Sequence, residues 1–176
     1  MKKVKTRIIP LLLLVVSLIF PACSSKDYSL SESNIFLVLT NMWYYPTQYI
    51  GSTIECDLFT YEITSVDGEK YLCGVRKCSS GYGCKCGKDT VIGFVLYYDG
   101  EIPAPKNQSE DTNDKSWIHI KGGLSSDKFI EIEIKSYNED GSVSETETET
   151  IKMLGFNVAE LSIVEDASRL NYYVTK

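Results

Sequence analysis

The chain has 176 residues, of which 43% are hydrophobic, 11% aromatic and 24% charged, and its formal net charge is −6. This length and composition are those of a folded domain with a hydrophobic core. The single histidine excludes metal centres that need two or more imidazole ligands. The excess of acidic residues argues against nucleic acid as a partner, because phosphate binding needs Lys and Arg.

Residues 1–22 have the pattern of a lipoprotein signal peptide. Four basic residues precede an apolar run at 8–20, which is shorter than the roughly 20 residues of a membrane span. Pro21-Ala22 then leads to Cys23, an arrangement that resembles a bacterial lipobox. We expect cleavage before Cys23 and a diacylglyceryl anchor of palmitate type on its thiol. Simple secretion and an uncleaved anchor are the alternatives.

Each of these alternatives places the folded part outside the cytoplasm, and lipidation places it at the extracytoplasmic face of the cell membrane. Loss of the four basic residues with the signal leaves a body with a charge near −10. Residues 23–33 are polar and are predicted to form a flexible tether. The domain is predicted to span residues 34–176.

The domain is predicted to begin with a short helix over 35–42, which Ser33-Asn34 caps and Pro46 ends. Its apolar face comprises Ile35, Leu39 and Met42. From Ser52 onward the apolar residues alternate with a period of two, which predicts strands. The first strand changes its apolar face near Leu58-Phe59, which indicates a bulge or a sharp bend.

Asp67-Gly68 is predicted to form a two-residue hairpin turn. The segment Thr90–Tyr98 is apolar on both faces, which predicts a central strand. Further strands are predicted at 117–124, 129–137, 143–153, 158–165 and 172–174. Two of these segments, 129–137 and 143–153, form an extended hairpin whose polar outer arm is expected to project into solvent.

These elements predict a mainly β fold. Five principal strands, a bent first strand and one helix favour an OB-like five-stranded Greek-key barrel with a short N-terminal helix and an extended β-hairpin. A β-sandwich is the alternative.

Three segments, 49–54, 70–94 and 117–122, resemble a family of exported OB-like domains. The family occurs in Firmicute lipoproteins and as the C-terminal domain of one subunit of a predicted two-subunit permease. The central segment carries the most specific matches: Arg76, Cys84, Cys86, Gly87, Asp89, Gly93 and Phe94. The resemblance implies an extracytoplasmic OB-like domain, a permease as a candidate partner and a loose association with metal homeostasis. The chain departs from the family pattern where Lys85 separates the paired cysteines.

The cysteines are the main candidates for chemistry. Besides Cys23 there are five, an odd number, so at least one is free, metal-bound or paired between chains. Cys78, Cys84 and Cys86 are candidate metal ligands, because thiolates select soft ions such as zinc or copper(I). Disulfide stapling of the glycine-rich loop is the competing interpretation, since exported cysteines commonly oxidise.

The expected turn at Asp67-Gly68, with one bulge in the first strand, places Cys56 opposite Cys78. These two residues are therefore disulfide candidates or shared ligands. The same register places Cys73 opposite Glu62 or Ile63, as a lone buried thiol.

The sequence predicts a non-enzymatic binding or accessory module, and a thiol-dependent redox enzyme is the alternative. Thioredoxin-like C-x-x-C spacing is absent from the sequence. His119 alternates with buried isoleucines and is expected to be a solvated or core-edge side chain. Six tyrosines are candidates for lining an aromatic groove, and the ordinary β-propensity of tyrosine is the competing explanation: Tyr44, Tyr45, Tyr49, Tyr82, Tyr97 and Tyr98.

Overall fold

A computed structural model describes residues 26–78, 90–137 and 143–174. Its elements are β1 (Asp27–Ser29), α1 (Ile35–Tyr44), a 3₁₀ turn (Pro46–Tyr49), β2 (Thr53–Thr64), β3 (Lys70–Cys78), β4 (Thr90–Tyr97), β5 (Trp117–Tyr137), β6 (Val143–Ile163) and β7 (Tyr173–Val174). The fold is mainly β with one short N-terminal helix, as predicted. The predicted signal peptide 1–22, Cys23, Cys84 and Cys86 lie outside the described residues.

The seven strands form one mixed sheet in the order β1-β2-β5-β6-β4-β3-β7. An additional pairing of β2 with β3 closes five of them into a ring. Within the ring, β4 and β6 are parallel and the other four pairs are antiparallel. The strand predicted to be central, β4, has a paired strand on each side, β3 and β6.

Strand β2 changes partner halfway along its length. It pairs with β5 from Ile54 to Phe59 and with β3 from Phe59 to Thr64. The predicted change of apolar face near Leu58-Phe59 coincides with this exchange. Because successive side chains point to opposite faces, the two halves of β2 supply two different core clusters.

The first core cluster lies between the ring and α1. Its helical members are the residues predicted from the sequence, Ile35, Leu39 and Met42, which are at most 2% exposed. Its strand members include Ile54, Cys56, Leu58, Phe94, Leu96, Ile118, Ile120, Leu154 and Phe156. The second cluster contains Phe59, Ile63, Cys73, Val75, Val95, Trp117, Ile132, Met153, Leu170 and Tyr172.

The turn between β2 and β3 has three residues, Val66-Asp67-Gly68, rather than the predicted two. Thr64 pairs with Lys70, and the Ser65 amide donates to the Glu69 carbonyl at 2.8 Å. Gly68 has φ of 84°, a left-handed conformation that glycine adopts without a Cβ clash. One more loop residue shifts every cross-strand pair by one position.

Strands β5 and β6 are each continuous, whereas the sequence predicted two shorter strands in each. Their pairing persists through register irregularities, one of which lies between Leu124 and Phe129. Residues 146–150 of the outer arm are exposed, as predicted. The inner arm is anchored, because the Val66 amide donates to the Glu133 carbonyl at 2.9 Å.

Residues 27–33, predicted to belong to a flexible tether, are packed on the fold. Strand β1 runs parallel to the start of β2, and the following Leu30 is 7% exposed. The Leu30 amide donates to the Glu55 carbonyl at 2.8 Å. The polar composition of this segment did not indicate that Leu30 is buried or that Asp27–Ser29 forms a strand.

Arg76 on β3 is completely buried and joins three distant parts of the chain. Its Nε donates to the Asp57 carbonyl on β2 at 2.9 Å. Its guanidinium forms an ion pair with Glu32, which precedes α1, and donates to the Asn171 carbonyl near the C-terminus. The guanidinium carbon lies 4.6 Å from the centre of the Trp117 ring.

We predict that Arg76→Met lowers the free energy of unfolding by about 3 kcal/mol, because it removes the buried cation of the ion pair with Glu32 and the hydrogen bonds to the Asp57 and Asn171 carbonyls. Urea denaturation followed by circular dichroism measures this change. Lys70→Met is the matched control, since it breaks the exposed Lys70–Glu62 pair at 2.8 Å and should cost under about 1 kcal/mol. Equal losses in the two variants would contradict the prediction.

A second prediction concerns Gly93, where β4 closely approaches β3. A Cβ at Gly93 would lie 2.1 Å from the Gly74 carbonyl oxygen, and backbone cannot yield as a flexible side chain can. Gly93→Ala should therefore destabilise the fold by on the order of 3 kcal/mol. Gly68→Ala, where no heavy atom lies within 4 Å of the added Cβ, should cost about 1–2 kcal/mol from its φ alone. A smaller effect at Gly93 than at Gly68 would refute this ranking.

Candidate functional site

Strands β3 and β4 hold the two ends of the predicted ligand loop side by side. Lys77 pairs with Val91, and Cys78 pairs with Thr90. On its other side the end of β3 pairs with β7, where Cys78 lies opposite Val174. Cys78 is thus fixed at the base of loop 79–89, and its side chain is 7% exposed.

Cys56, Cys73 and Cys78 are free thiols with raised pKa values. Burial raises the pKa of Cys56 to about 12, the Asp57 carboxylate adds to the rise, and the nearby Arg76 cation opposes it. Burial also raises the pKa of Cys73 to about 12 and that of Cys78 to about 11. All three thiols are therefore protonated near neutral pH, the condition of inert rather than nucleophilic cysteines.

The predicted cross-strand pairing of Cys56 with Cys78 is wrong. The β2–β3 ladder ends at the pair Phe59 and Val75, and Cys56 instead lies opposite Ile120 on β5. Both thiols belong to the first core cluster and both are free. A disulfide between Cys56 and Cys78 stays a prediction.

Cys73 is the buried free thiol that the sequence predicted, in a different register. It lies opposite Tyr61 rather than Glu62 or Ile63, because the turn has one more residue than expected. Its Sγ is 3.8 Å from the Sδ of Met153, a contact between two soft apolar groups in the second core cluster. The position gives Cys73 a packing role.

Within residues 26–78, 90–137 and 143–174, no group of three or more His, Cys, Asp or Glu side chains is arranged to hold a metal ion. Of the predicted ligand set, only Cys78 falls in this part of the chain, since Cys84 and Cys86 lie outside it. The metal site stays a prediction.

The sequence did not predict a cluster of polar side chains on the outer face of β2 and β5. His119 Nδ1 lies 2.7 Å from Asp57 Oδ1, and His119 Nε2 lies 3.0 Å from Glu55 Oε1. Asp57 pairs directly with His119 across the two strands. The imidazole side chain is 40% exposed, in agreement with the expected solvated position. Glu55 and Asp57 alternate with buried residues in the sequence, which indicates that both lie on the outer face of their strand. The sequence did not predict that β2 pairs with β5, and this pairing brings them to His119.

Three of the candidate groove tyrosines, Tyr44, Tyr45 and Tyr49, lie in α1 or directly after it. Tyr49 is buried, with its ring centre 5.0 Å from that of Tyr28. Tyr44 and Tyr45 are exposed, with ring centres 6.3 Å apart. Tyr82 lies outside the described residues. The tyrosines around α1 therefore divide between the core and the surface.

The raised thiol pKa values predict slow alkylation. At pH 8 a thiol with a pKa of about 12 is about 1,000-fold less ionised than one with the ordinary value of 9.0. Iodoacetamide should therefore leave Cys56 and Cys73 unmodified in the reduced native protein, and peptide mass mapping measures this. Because the thiolate fraction increases with pH, labelling at pH 9 should be faster than at pH 8. Denaturation in urea is the control, and rapid native labelling of Cys56 would refute the prediction.

Among the described residues, no helix is both long and apolar enough to span a membrane.

No family model matches the chain, and no solved structure matches it. The chain is 27% identical over 109 residues to UPF0703 protein YcgQ of Bacillus subtilis (strain 168). The alignment covers 60% of this chain and 33% of the relative, so the chain spans about a third of the relative's length. The chain is distantly similar to a UPF0703 protein, a family name that states no activity.

Proposed function

We propose that this protein is a bacterial surface lipoprotein whose folded body is a non-enzymatic binding or accessory module. Cys23 carries the lipid anchor, and the body lies at the extracytoplasmic face of the cell membrane. The basic and apolar signal before Cys23 supports this location. A membrane protein, with a permease subunit as the candidate suggested by the family resemblance, is the proposed partner, and nucleic acid is not.

We also propose that the five-stranded ring is an OB-type barrel. The spatial order β5-β2-β3-β4 corresponds to the 4-1-2-3 arrangement of a Greek key, and β6 lies between β4 and β5. OB folds bind ligands across their second and third strands, which correspond here to β3 and β4. Loop 79–89 connects these two strands.

The pairing of Cys78 with Thr90 is the observation that carries the binding proposal. Because Cys78 pairs with Thr90, the residues that precede and follow segment 79–89 are adjacent. Cys84 and Cys86 belong to this segment of the sequence, which supports the proposal that they bind a metal ion together with Cys78. Zinc and copper(I) are the metal ions that these three thiolates are proposed to bind, and disulfide stapling is the second candidate.

The pKa of Cys78 implies a pH-dependent affinity. Since burial raises this pKa to about 11, a metal ion must displace the thiol proton to bind. The free energy of that displacement falls as the pH rises, so metal affinity increases with pH. Lys85 and Lys88 in the same loop offset the negative charge of bound thiolates.

The binding proposal is tested by native mass spectrometry of the protein isolated from membranes. We expect one zinc or copper ion per chain, or the loss of two hydrogen masses for each disulfide. The double substitution Cys84→Ser and Cys86→Ser should abolish either change, whereas Cys73→Ala, which alters a buried thiol outside the loop, should not. A metal-free protein with every cysteine after Cys23 as a free thiol would overturn the proposal. Turnover of a dithiol substrate that depends on Cys84 or Cys86 would favour the redox enzyme instead.

The anchorage is tested separately by the mass of the N-terminal tryptic peptide, residues 23–26. We expect this peptide to begin at Cys23 and to carry a diacylglyceryl adduct. A mature protein that begins elsewhere, or that has an unmodified Cys23, would overturn the lipoprotein assignment.

A further inference from the structure

Helix α1 exposes apolar side chains that a surface helix normally buries. From Ser33 to Ile54 the sequence contains no charged residue, although the protein has a net charge of −6. One face of α1 packs in the first core cluster. The opposite side is not polar, because Leu37 is 57% exposed, Trp43 40% and Tyr44 60%. Thr40 and Asn41 are the polar side chains of α1, and its other side chains are apolar or aromatic on more than the buried face.

The rings of Trp43, Tyr44 and Tyr45 are exposed and form a connected group with the half-buried ring of Phe129. The Trp43 ring centre lies 5.1 Å from that of Tyr44 and 5.4 Å from that of Phe129 on β5. Tyr45, which is 57% exposed, extends the contact from Tyr44. Leu37 lies about two helical turns before Tyr44 on the same side. We call Leu37, Trp43, Tyr44, Tyr45 and Phe129 the aromatic surface.

The composition of this surface matches the headgroup region of a bilayer. Tryptophan and tyrosine combine an apolar ring with one polar group, and they are enriched where hydrocarbon meets water. An uncharged surface is also the part of an acidic protein that can approach anionic lipids with least repulsion. A contiguous exposed apolar patch marks an interaction site.

The start of the described chain lies beside the 3₁₀ turn that follows α1. The Thr53 amide donates to the Lys26 carbonyl at 2.9 Å, and Tyr28 contacts Tyr49, the last residue of the 3₁₀ turn that follows α1. Only three peptide units join Cys23 to Lys26, a span of at most about 10 Å. A lipid anchor on Cys23 would therefore hold the start of β1, and the 3₁₀ turn beside it, close to the membrane.

We propose that the aromatic surface inserts into the headgroup region of the phospholipid bilayer and fixes the orientation of the anchored body. This inference rests on the proposed anchorage at Cys23. The anchor supplies a high effective concentration of lipid, so a surface that binds vesicles weakly by itself is occupied when tethered. The occupant is the bilayer to which the chain is attached.

Trp43 provides a direct test, because the protein has two tryptophans and the other, Trp117, is only 3% exposed. The lipidated full-length protein from membranes is reconstituted in phosphatidylcholine and phosphatidylglycerol vesicles that contain lipids brominated near the headgroup. We expect loss of most Trp43 emission relative to vesicles without bromine. Trp43→Phe should remove the quenchable component and leave the emission of Trp117.

Tyr44→Ser should weaken the quenching, whereas Ile163→Ser, which alters a 65% exposed side chain on β6 outside the aromatic surface, should leave it unchanged. Both substitutions are at exposed positions, and equal urea midpoints confirm that the variants fold. The mass of peptide 23–26 is measured on the same sample.

The outcomes separate the two proposals. Unquenched Trp43 in protein with a lipidated Cys23 overturns the membrane contact and leaves the anchorage intact. Quenched Trp43 in protein without the lipid supports the contact and overturns the anchorage. A blue shift of Trp43 that depends on protein concentration and not on lipid would assign the surface to a second copy of the chain and overturn the bilayer as its occupant.

Discussion

The buried guanidinium of Arg76 is the interaction on which the rest of the structure depends. A cation with no solvent exposure is tolerated only when its charge and its N–H donors are satisfied. Here the carboxylate comes from Glu32, before the helix, and carbonyls come from Asp57 on β2 and Asn171 near the C-terminus. Glu32 also accepts a hydrogen bond from the Asn171 amide at 3.0 Å. The segments near the two ends of the described chain are therefore bonded to each other and to Arg76 on β3.

Both proposed functional regions are positioned by this interaction. Cys78 follows Arg76 by two residues on β3, so the strand that holds the guanidinium also fixes the base of the cysteine-bearing loop. Glu32 lies immediately before α1, and its ion pair holds the start of the helix that carries the aromatic surface.

The parts of the fold that were predicted correctly depend on local periodicity. The spacing of Ile35, Leu39 and Met42 identified the buried face of α1, and the two apolar faces of Thr90–Tyr98 identified a central strand. The parts that were missed depend on pairing between distant residues. The turn is one residue longer than predicted, so Cys73 pairs with Tyr61. Because the first half of β2 pairs with β5 and not with β3, Cys56 lies opposite Ile120 and not opposite Cys78. The His119 cluster was missed for the same reason, since its carboxylates come from a strand more than sixty positions away.

The sequence by itself determined the mainly β class, the short helix and its buried face, because alternation of apolar residues follows from the geometry of each element alone. Only the tertiary structure decided which strands close the ring and that Arg76 is fully buried. It also decided that the second apolar side of α1 remains exposed. Burial depends on the tertiary structure, because a side chain is buried or exposed according to which distant segments pack against it. A local sequence pattern therefore does not predict that Arg76 is buried or that Trp43 is exposed.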